Sequence, residues 1–123
     1  MYNRIVQDHY SHPRNLGRLQ ATDGVGEASI HEPSVDWIQV SVRLEGARIA
    51  AACFRAIGCA ATVAAGSAVT EWLRGRDLRE AAELSAATIV EILHGLPDEK
   101  WYCAELASDA VRAAVEAANS QGS

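Results

Sequence analysis

Two cysteines and one aspartate are the residues of this 123-residue chain best placed to do chemistry. Cys59 follows Gly58 where the apolar pattern changes from alternation to helical spacing, which puts it at a strand-to-helix junction. Cys103 follows Trp101-Tyr102 near the expected start of the last helix. Free N–H groups and the helix dipole at such positions favour a thiolate, and a thiolate binds soft metals or accepts sulfur. Two cysteines so far apart in sequence are also compatible with two unrelated buried thiols. The third, Cys53, falls inside an expected strand and reads as a small core hydrophobe. Asp36 opens an apolar strand, where aspartate is disfavoured, so it is a turn cap or a ligand. The histidines His9, His12, His31 and His94 show no zinc-helix spacing. His9 reads as structural. His31 precedes Asp36 closely enough to reach the same site. It is also the one base that the sequence offers to a nucleophilic Cys59 or Cys103. A glycine-rich phosphate loop, a nucleophile elbow and a basic aromatic stripe are all missing. Arg74-Gly75-Arg76 reads as a solvated helix end.

The elements that must position these groups follow from the hydrophobic pattern. Residues 1–11 form a short helix with Ile5, Val6 and Tyr10 at near-helical spacing, stopped by His12-Pro13. A loop over 13–24 is punctuated by Pro13, Asn15, Gly17 and Asp23-Gly24. Strands are expected over Val25–His31, Asp36–Leu44 and Ile49–Ile57 as an antiparallel meander. In the second, Ile38, Val40, Val42 and Leu44 alternate with Gln39, Ser41 and Arg43, the signature of a half-buried strand. After Cys59, Ala61, Ala64, Ala65, Ala68, Val69 and Trp72 form one helical stripe. Its small residues, with Gly66, permit close approach of a neighbour. Asp77 to Glu80 is a capping box, Ser85 caps a further helix ending at Gly95-Leu96-Pro97, and the last helix begins near Cys103. The polar tail from about Asn119 is expected to fray. Strands first and helices afterwards give an α+β fold: a three-stranded antiparallel sheet packed against helices, with a short N-terminal helix.

Length fits one domain over 1–123, large enough to bury roughly two-thirds of its unfolded surface. Eleven basic against sixteen acidic residues leave a net charge of −5, which offers no footprint for nucleic acid or an anionic membrane. There is no apolar run of about 20 residues for a membrane span and no secretory pattern at the N-terminus. Three cysteines are too few for a disulfide scaffold, so the expected setting is a reducing cytoplasm with free thiols.

Several segments, in order and in register, resemble the IscU/NifU-type iron–sulfur cluster scaffolds. His9-Tyr10-Ser11-His12-Pro13-Arg14-Asn15-Leu16-Gly17 resembles the family's His-Tyr-x-Asn-Pro-Arg-Asn-x-Gly opening. Phe54-Arg55-Ala56-Ile57-Gly58-Cys59 resembles Phe-x-x-x-Gly-Cys, and Thr70-Glu71-Trp72-Leu73-Arg74-Gly75 resembles Thr-Glu-x-x-x-Gly. Leu96-Pro97-Asp98-Glu99-Lys100-Trp101-Tyr102-Cys103 resembles Leu-Pro-Pro-x-Lys-x-His-Cys, followed as expected by Leu106-Ala107-Ser108-Asp109-Ala110. The resemblance implies a non-enzymatic scaffold or carrier for a labile [2Fe–2S] cluster or iron. Its implied partners are a cysteine desulfurase and iron–sulfur acceptor proteins. It implies Asp36, Cys59 and Cys103 as ligands, with Cys103 also able to receive persulfide sulfur.

The chain departs from the family at the ligands themselves. Counting back from Asp36 puts Ser34 where the family has its first cysteine, and Val35 replaces the glycine that follows. Tyr102 replaces the histidine before the last cysteine. A cluster takes four protein ligands, and so does a structural zinc. Asp36, Cys59 and Cys103 supply three, with Ser34, Tyr102 and His31 as weaker candidates. An exogenous thiol or water, His31, or the cysteines of a second chain in a homodimer would complete the set. Asp98 and Glu99 stand in a segment, Leu96 to Lys100, that an Hsp70-type chaperone reads in some members, and two acids weaken that contact. The alternative is a divergent paralogue that binds zinc or no metal and serves the assembly machinery as an interaction module.

Overall fold

The computed structural model describes residues 2–32 and 35–121. Helix α1 (Arg4–Ser11) leads into a meander of β1 (Gly24–Ile30), β2 (Asp36–Glu45) and β3 (Arg48–Ile57). Helices α2 (Ala60–Leu73), α3 (Leu78–Ala82) and α4 (Ala86–Ile92) follow, then a single 3-10 turn (Asp98–Lys100) and the long α5 (Trp101–Gln121). The sheet is antiparallel throughout, in the order β1-β2-β3. This is the expected α+β architecture, a three-stranded sheet with helices and a short N-terminal helix.

One face of the sheet carries the core. Ile38, Val40 and Val42 of β2 stand in register with Ala28, Gly26 and Gly24 of β1 and with Ala56, Phe54 and Ala52 of β3. Helices α2 and α5 cover that face. The alanine-rich stripe of α2 allows close approach, as its composition suggests. The Phe54 ring lies where a Cβ on Gly66 would stand, 2.4 Å from its nearest carbon. The opposite face of β2 is not wet, contrary to the half-buried pattern. Gln39 and Ser41 are buried, Gln39 accepting from Arg55 Nε at 3.2 Å and Ser41 lying under the loop after α1. Its Leu19 N–H donates to Ser41 Oγ at 3.3 Å. The same loop pairs with β3, through Gly17 N–H to the Phe54 carbonyl and Phe54 N–H to the Asn15 carbonyl.

Local capping sets the helix bounds. The Asp77–Glu80 capping box and the Ser85 cap form as expected. Helix α1 starts at Arg4 because Asn3 caps it, accepting from Val6 N–H at 2.9 Å. The Asn3 amide also donates to the carbonyls of Leu93, His94 and Gly95 at 3.0, 3.1 and 3.2 Å. One side chain thus caps the start of α1 and the end of α4. Asn3→Ala is expected to lower stability by about 1–2 kcal/mol, read as a lower urea midpoint with an unchanged slope. The buried stripe of α1 is Val6 and His9, with Tyr10 exposed. His9 is structural: its Nδ1 is 2.7 Å from Ser67 Oγ, inside the α1–α2 contact.

Three expectations need correction. β1 begins at Gly24 and ends at Ile30, one residue earlier than the pattern suggests. α5 begins at Trp101, because the 3-10 turn over Asp98–Lys100 winds directly into it. The helix also runs past Asn119 to Gln121, where the polar composition suggests fraying. Gly24 and Gly26 explain that length. Neither has a side chain to hold α5 off, so its backbone at Ala110, Ala114 and Ala118 lies directly on β1. Among the described residues, no helix is long and apolar enough to cross a membrane.

Candidate metal centre

Three element ends converge at one edge of the sheet. Trp37 pairs with Ile57, so Asp36 at the start of β2 lies beside Gly58 at the end of β3. Cys59 follows as the N-cap residue of α2, and Cys103 stands in the first turn of α5. The Cys59 and Cys103 sulfurs and an Asp36 carboxylate oxygen all lie within 4.8 Å of one another. Residues chosen in the sequence for separate reasons thus form one cluster. Gly58 makes the convergence possible, since a Cβ there would stand 2.5 Å from Asp36 Oδ2 and 2.7 Å from Thr62 Oγ1.

The two thiols are not equivalent. Cys59 is partly buried, and burial alone would raise its pKa. Hydrogen bonds from the Thr62 hydroxyl and from the backbone N–H groups of Thr62 and Ala61 outweigh that penalty and bring it down to about 7. They stand at the N-terminus of α2, where the helix dipole favours an anion. Lys100 Nζ is 3.6 Å from the same sulfur, and the charge of Cys59 raises the Lys100 pKa in return. Cys103 behaves in the opposite way. It is fully buried, and desolvation pushes its thiol up to about 11 despite hydrogen bonds from Thr62 and Tyr102. A helix start alone therefore does not make this cysteine a thiolate in the metal-free chain, because burial outweighs the dipole. The two sulfurs stand 3.9 Å apart, within reach of an S–H···S hydrogen bond.

Thr62 ties the centre together. Its hydroxyl donates to the buried Asp36 carboxylate at 2.5 Å, and lies 3.5 Å from Cys59 Sγ and 3.4 Å from Cys103 Sγ. The hydroxyl proton goes to Asp36, and Thr62→Val removes that donor together with the hydroxyl contact that helps hold the Cys59 pKa down. Anaerobic alkylation of Cys59 in the metal-free chain is expected to rise through a midpoint near pH 7. The sign follows from a lowered pKa: the reactive thiolate is present above the midpoint and lost below it. Thr62→Val is expected to move that midpoint upward, and site-resolved mass spectrometry of the alkylated peptide checks both statements.

The other candidates separate. His31 is exposed and stands outside the three-residue cluster. Ser34 lies outside the described residues. Tyr102 hydrogen-bonds Cys103 and sits 5.9 Å beneath Lys100 Nζ. Cys53 is partly exposed on the sheet face away from the helices, rather than in the core. It alternates with Phe54, and β3 turns its inward side to α2 at Phe54. Thr62 and Tyr2 went unnoticed in the sequence. Thr62 had a signal, three residues after Cys59 and so on the same side of the first turn of α2. Tyr2 had none, since it reaches Cys59 only through the docking of α1. Burial and then the charge of Cys59 hold its pKa above the usual tyrosine value.

The sequence profile of the NifU-like N terminal domain matches residues 1–122. The chain belongs to that family. It is 41% identical over 118 residues to the iron-sulfur cluster assembly scaffold protein IscU of Buchnera aphidicola subsp. Acyrthosiphon pisum, covering 93% of this chain and 91% of that one. The IscU of Azotobacter vinelandii shows the same identity and coverage. IscU 1 of Archaeoglobus fulgidus is 36% identical over 116 residues, 94% of this chain and 74% of the relative. Among solved structures, the fold is similar to a putative iron-sulfur cluster assembly scaffold protein for the SUF system from Fervidobacterium islandicum AW-1. That likeness has a TM-score of 0.72 at 18% identity, over 93% of this chain and 96% of the other. The N-terminal NifU-like protein of Brucella abortus matches with a TM-score of 0.72 at 17% identity, over 96% and 94%. The family resemblance read from the motifs is thereby confirmed.

Proposed function

We propose that this chain is an iron–sulfur cluster assembly scaffold or carrier that holds iron, and a labile [2Fe–2S] cluster as its cargo, through Asp36, Cys59 and Cys103. The convergence of one carboxylate and two sulfurs within 4.8 Å carries the reading. Thiolates are the usual ligands of such clusters, and an oxygen donor in the set suits a site that must release what it holds. The chain's own groups have definable parts. Cys59, its thiol held down to about 7, gives up its proton readily to an incoming cation. Cys103 gives up its proton only when a cation offsets the cost of a buried charge. Thr62 orients Asp36, and Lys100 neutralises Cys59 until a cation displaces it.

Three ligands leave one position to an outside group: a small thiol, water or a second copy of the chain. His31 is not preorganised for it. A cysteine desulfurase would supply sulfur, and acceptor proteins would take the cluster, in a reducing compartment such as the cytoplasm. Val35 and Ile57 flank Asp36 and Gly58 in the chain and are mostly exposed, which gives such partners an apolar rim to cover. Contact with a chaperone would be weak at Leu96 to Lys100. Leu96 is turned into the core, and Asp98 and Glu99 face outward. Zinc fits the same three atoms in the isolated protein.

Transfer tests the reading. The chain is loaded anaerobically with iron and sulfide and then mixed with an apo-ferredoxin. The ferredoxin spectrum is expected to appear as the scaffold's own colour disappears. A cluster that never forms, or never leaves, would contradict it. Native mass spectrometry of the loaded chain separates a cluster on one chain from a cluster bridging two.

A further inference from the structure

We propose that Cys59 and Cys103 also form a reversible dithiol–disulfide couple, whose oxidation by a small-molecule disulfide closes the centre to metal. The two sulfurs are 3.9 Å apart. A disulfide bond of about 2.05 Å needs roughly a further 2 Å of approach. Cys59 is placed to supply that motion. As the N-cap residue of α2 it has extended backbone, with φ −84° and ψ 179°, and it is only partly buried.

Exposure sets the order of events. Cys59 is reachable from solvent, whereas Cys103 is buried and meets only what Cys59 brings to it. The Cys59 sulfur attacks one sulfur of a glutathione-type disulfide. A mixed disulfide forms on Cys59 and the first small thiol leaves. The Cys103 sulfur then attacks the Cys59 sulfur, the Cys59–Cys103 bond forms, and the second small thiol departs with the Cys103 proton. The two protein thiols are oxidised and the small disulfide is reduced to two thiols, so electrons and atoms balance. No other pairing competes. The cluster contains two thiols among the described residues, and Cys53 projects from the far side of the sheet.

Oxidation would take both soft donors from the centre together and leave Asp36 as the remaining ligand. A metal held between the sulfurs would block the reaction. The proposal is indifferent to which metal that is, so it stands or falls separately from cluster assembly.

The metal-free full-length chain is equilibrated anaerobically with mixtures of oxidised and reduced glutathione, and remaining thiols are trapped by alkylation. Intact mass is expected to fall by two hydrogens. Peptide mapping should join Cys59 to Cys103 while Cys53 stays alkylated. Zinc binding should be lost on oxidation and restored by dithiothreitol, and zinc added first should prevent the change. In Cys103→Ser, a glutathione adduct should persist on Cys59. Cys53→Ser should leave the couple unchanged, which guards against a fold defect. The proposal is overturned if the unaltered chain stays reduced in excess oxidised glutathione. A stable glutathione adduct on that chain, or undiminished zinc binding after oxidation, would overturn it equally.

Discussion

Gly26→Val is expected to leave the chain without a stable fold. The position allows no side chain. A Cβ on Gly26 would stand 2.2 Å from the Ala110 carbonyl oxygen and 2.2 Å from the Ala114 nitrogen, both backbone atoms of α5. Flexible side chains can give way, but a helix backbone cannot. Overpacking of a well-filled core ordinarily costs about 1–3 kcal/mol, and a collision with helix backbone exceeds that range. Against a total stability of about 5–15 kcal/mol, displacing α5 removes much of what holds the domain together. The metal centre would be lost with it, because Cys103 rides on the same helix. Circular dichroism and urea titration check this. A cooperative transition at the unaltered midpoint would show that the β1–α5 contact is looser than its geometry indicates.

Cys59→Ala and Cys103→Ala are expected to abolish thiolate-bound metal without unfolding the chain. With cobalt as probe, the sulfur-to-metal charge-transfer absorption should be present in the unaltered chain and absent from a variant lacking both. Each single variant should lose most of it, since among the described residues the cluster holds two sulfurs and one carboxylate oxygen. Asp36→Ala should keep the sulfur absorption and bind more weakly, since an oxygen donor contributes none of that band. Of the two cysteine variants, Cys103→Ala should disturb stability less. It replaces a buried neutral thiol with a smaller apolar group, whereas Cys59→Ala removes a negative charge from the positive end of the α2 dipole. Equal absorption in either single variant would mean that the metal sits elsewhere.

How far these features were legible in the sequence depended on how local their causes are. The Asp77–Glu80 capping box and the Ser85 cap need only neighbouring residues, and both appear as expected. The core face of β2 is visible from alternation, but the burial of Ser41 is not, because a loop from elsewhere in the chain covers it. The start of α5 was misplaced since a 3-10 turn has no apolar period of its own to read.

The centre shows the same division. Asp36 was conspicuous because a carboxylate at the head of an apolar strand needs a reason, and Cys59 because of its junction. Their meeting depends on strand register that only the fold supplies. A helix start favours a thiolate at Cys103, and its burial beside Thr62 reverses that in the metal-free chain. Tyr2 illustrates the limit. Nothing in its own neighbourhood announces a role, and it reaches Cys59 because Asn3 fastens α1 to the end of α4.

Anaerobic reconstitution with ferrous iron, cysteine and a cysteine desulfurase tests the central claim most directly. The visible spectrum is recorded along with bound iron and acid-labile sulfide, with Cys59→Ala and Cys103→Ala in parallel. A [2Fe–2S] spectrum with iron and sulfide in equal amounts is expected, absent from both variants. A colourless chain that still binds the desulfurase would contradict it, and would mean that the centre no longer carries a cluster although the fold is kept.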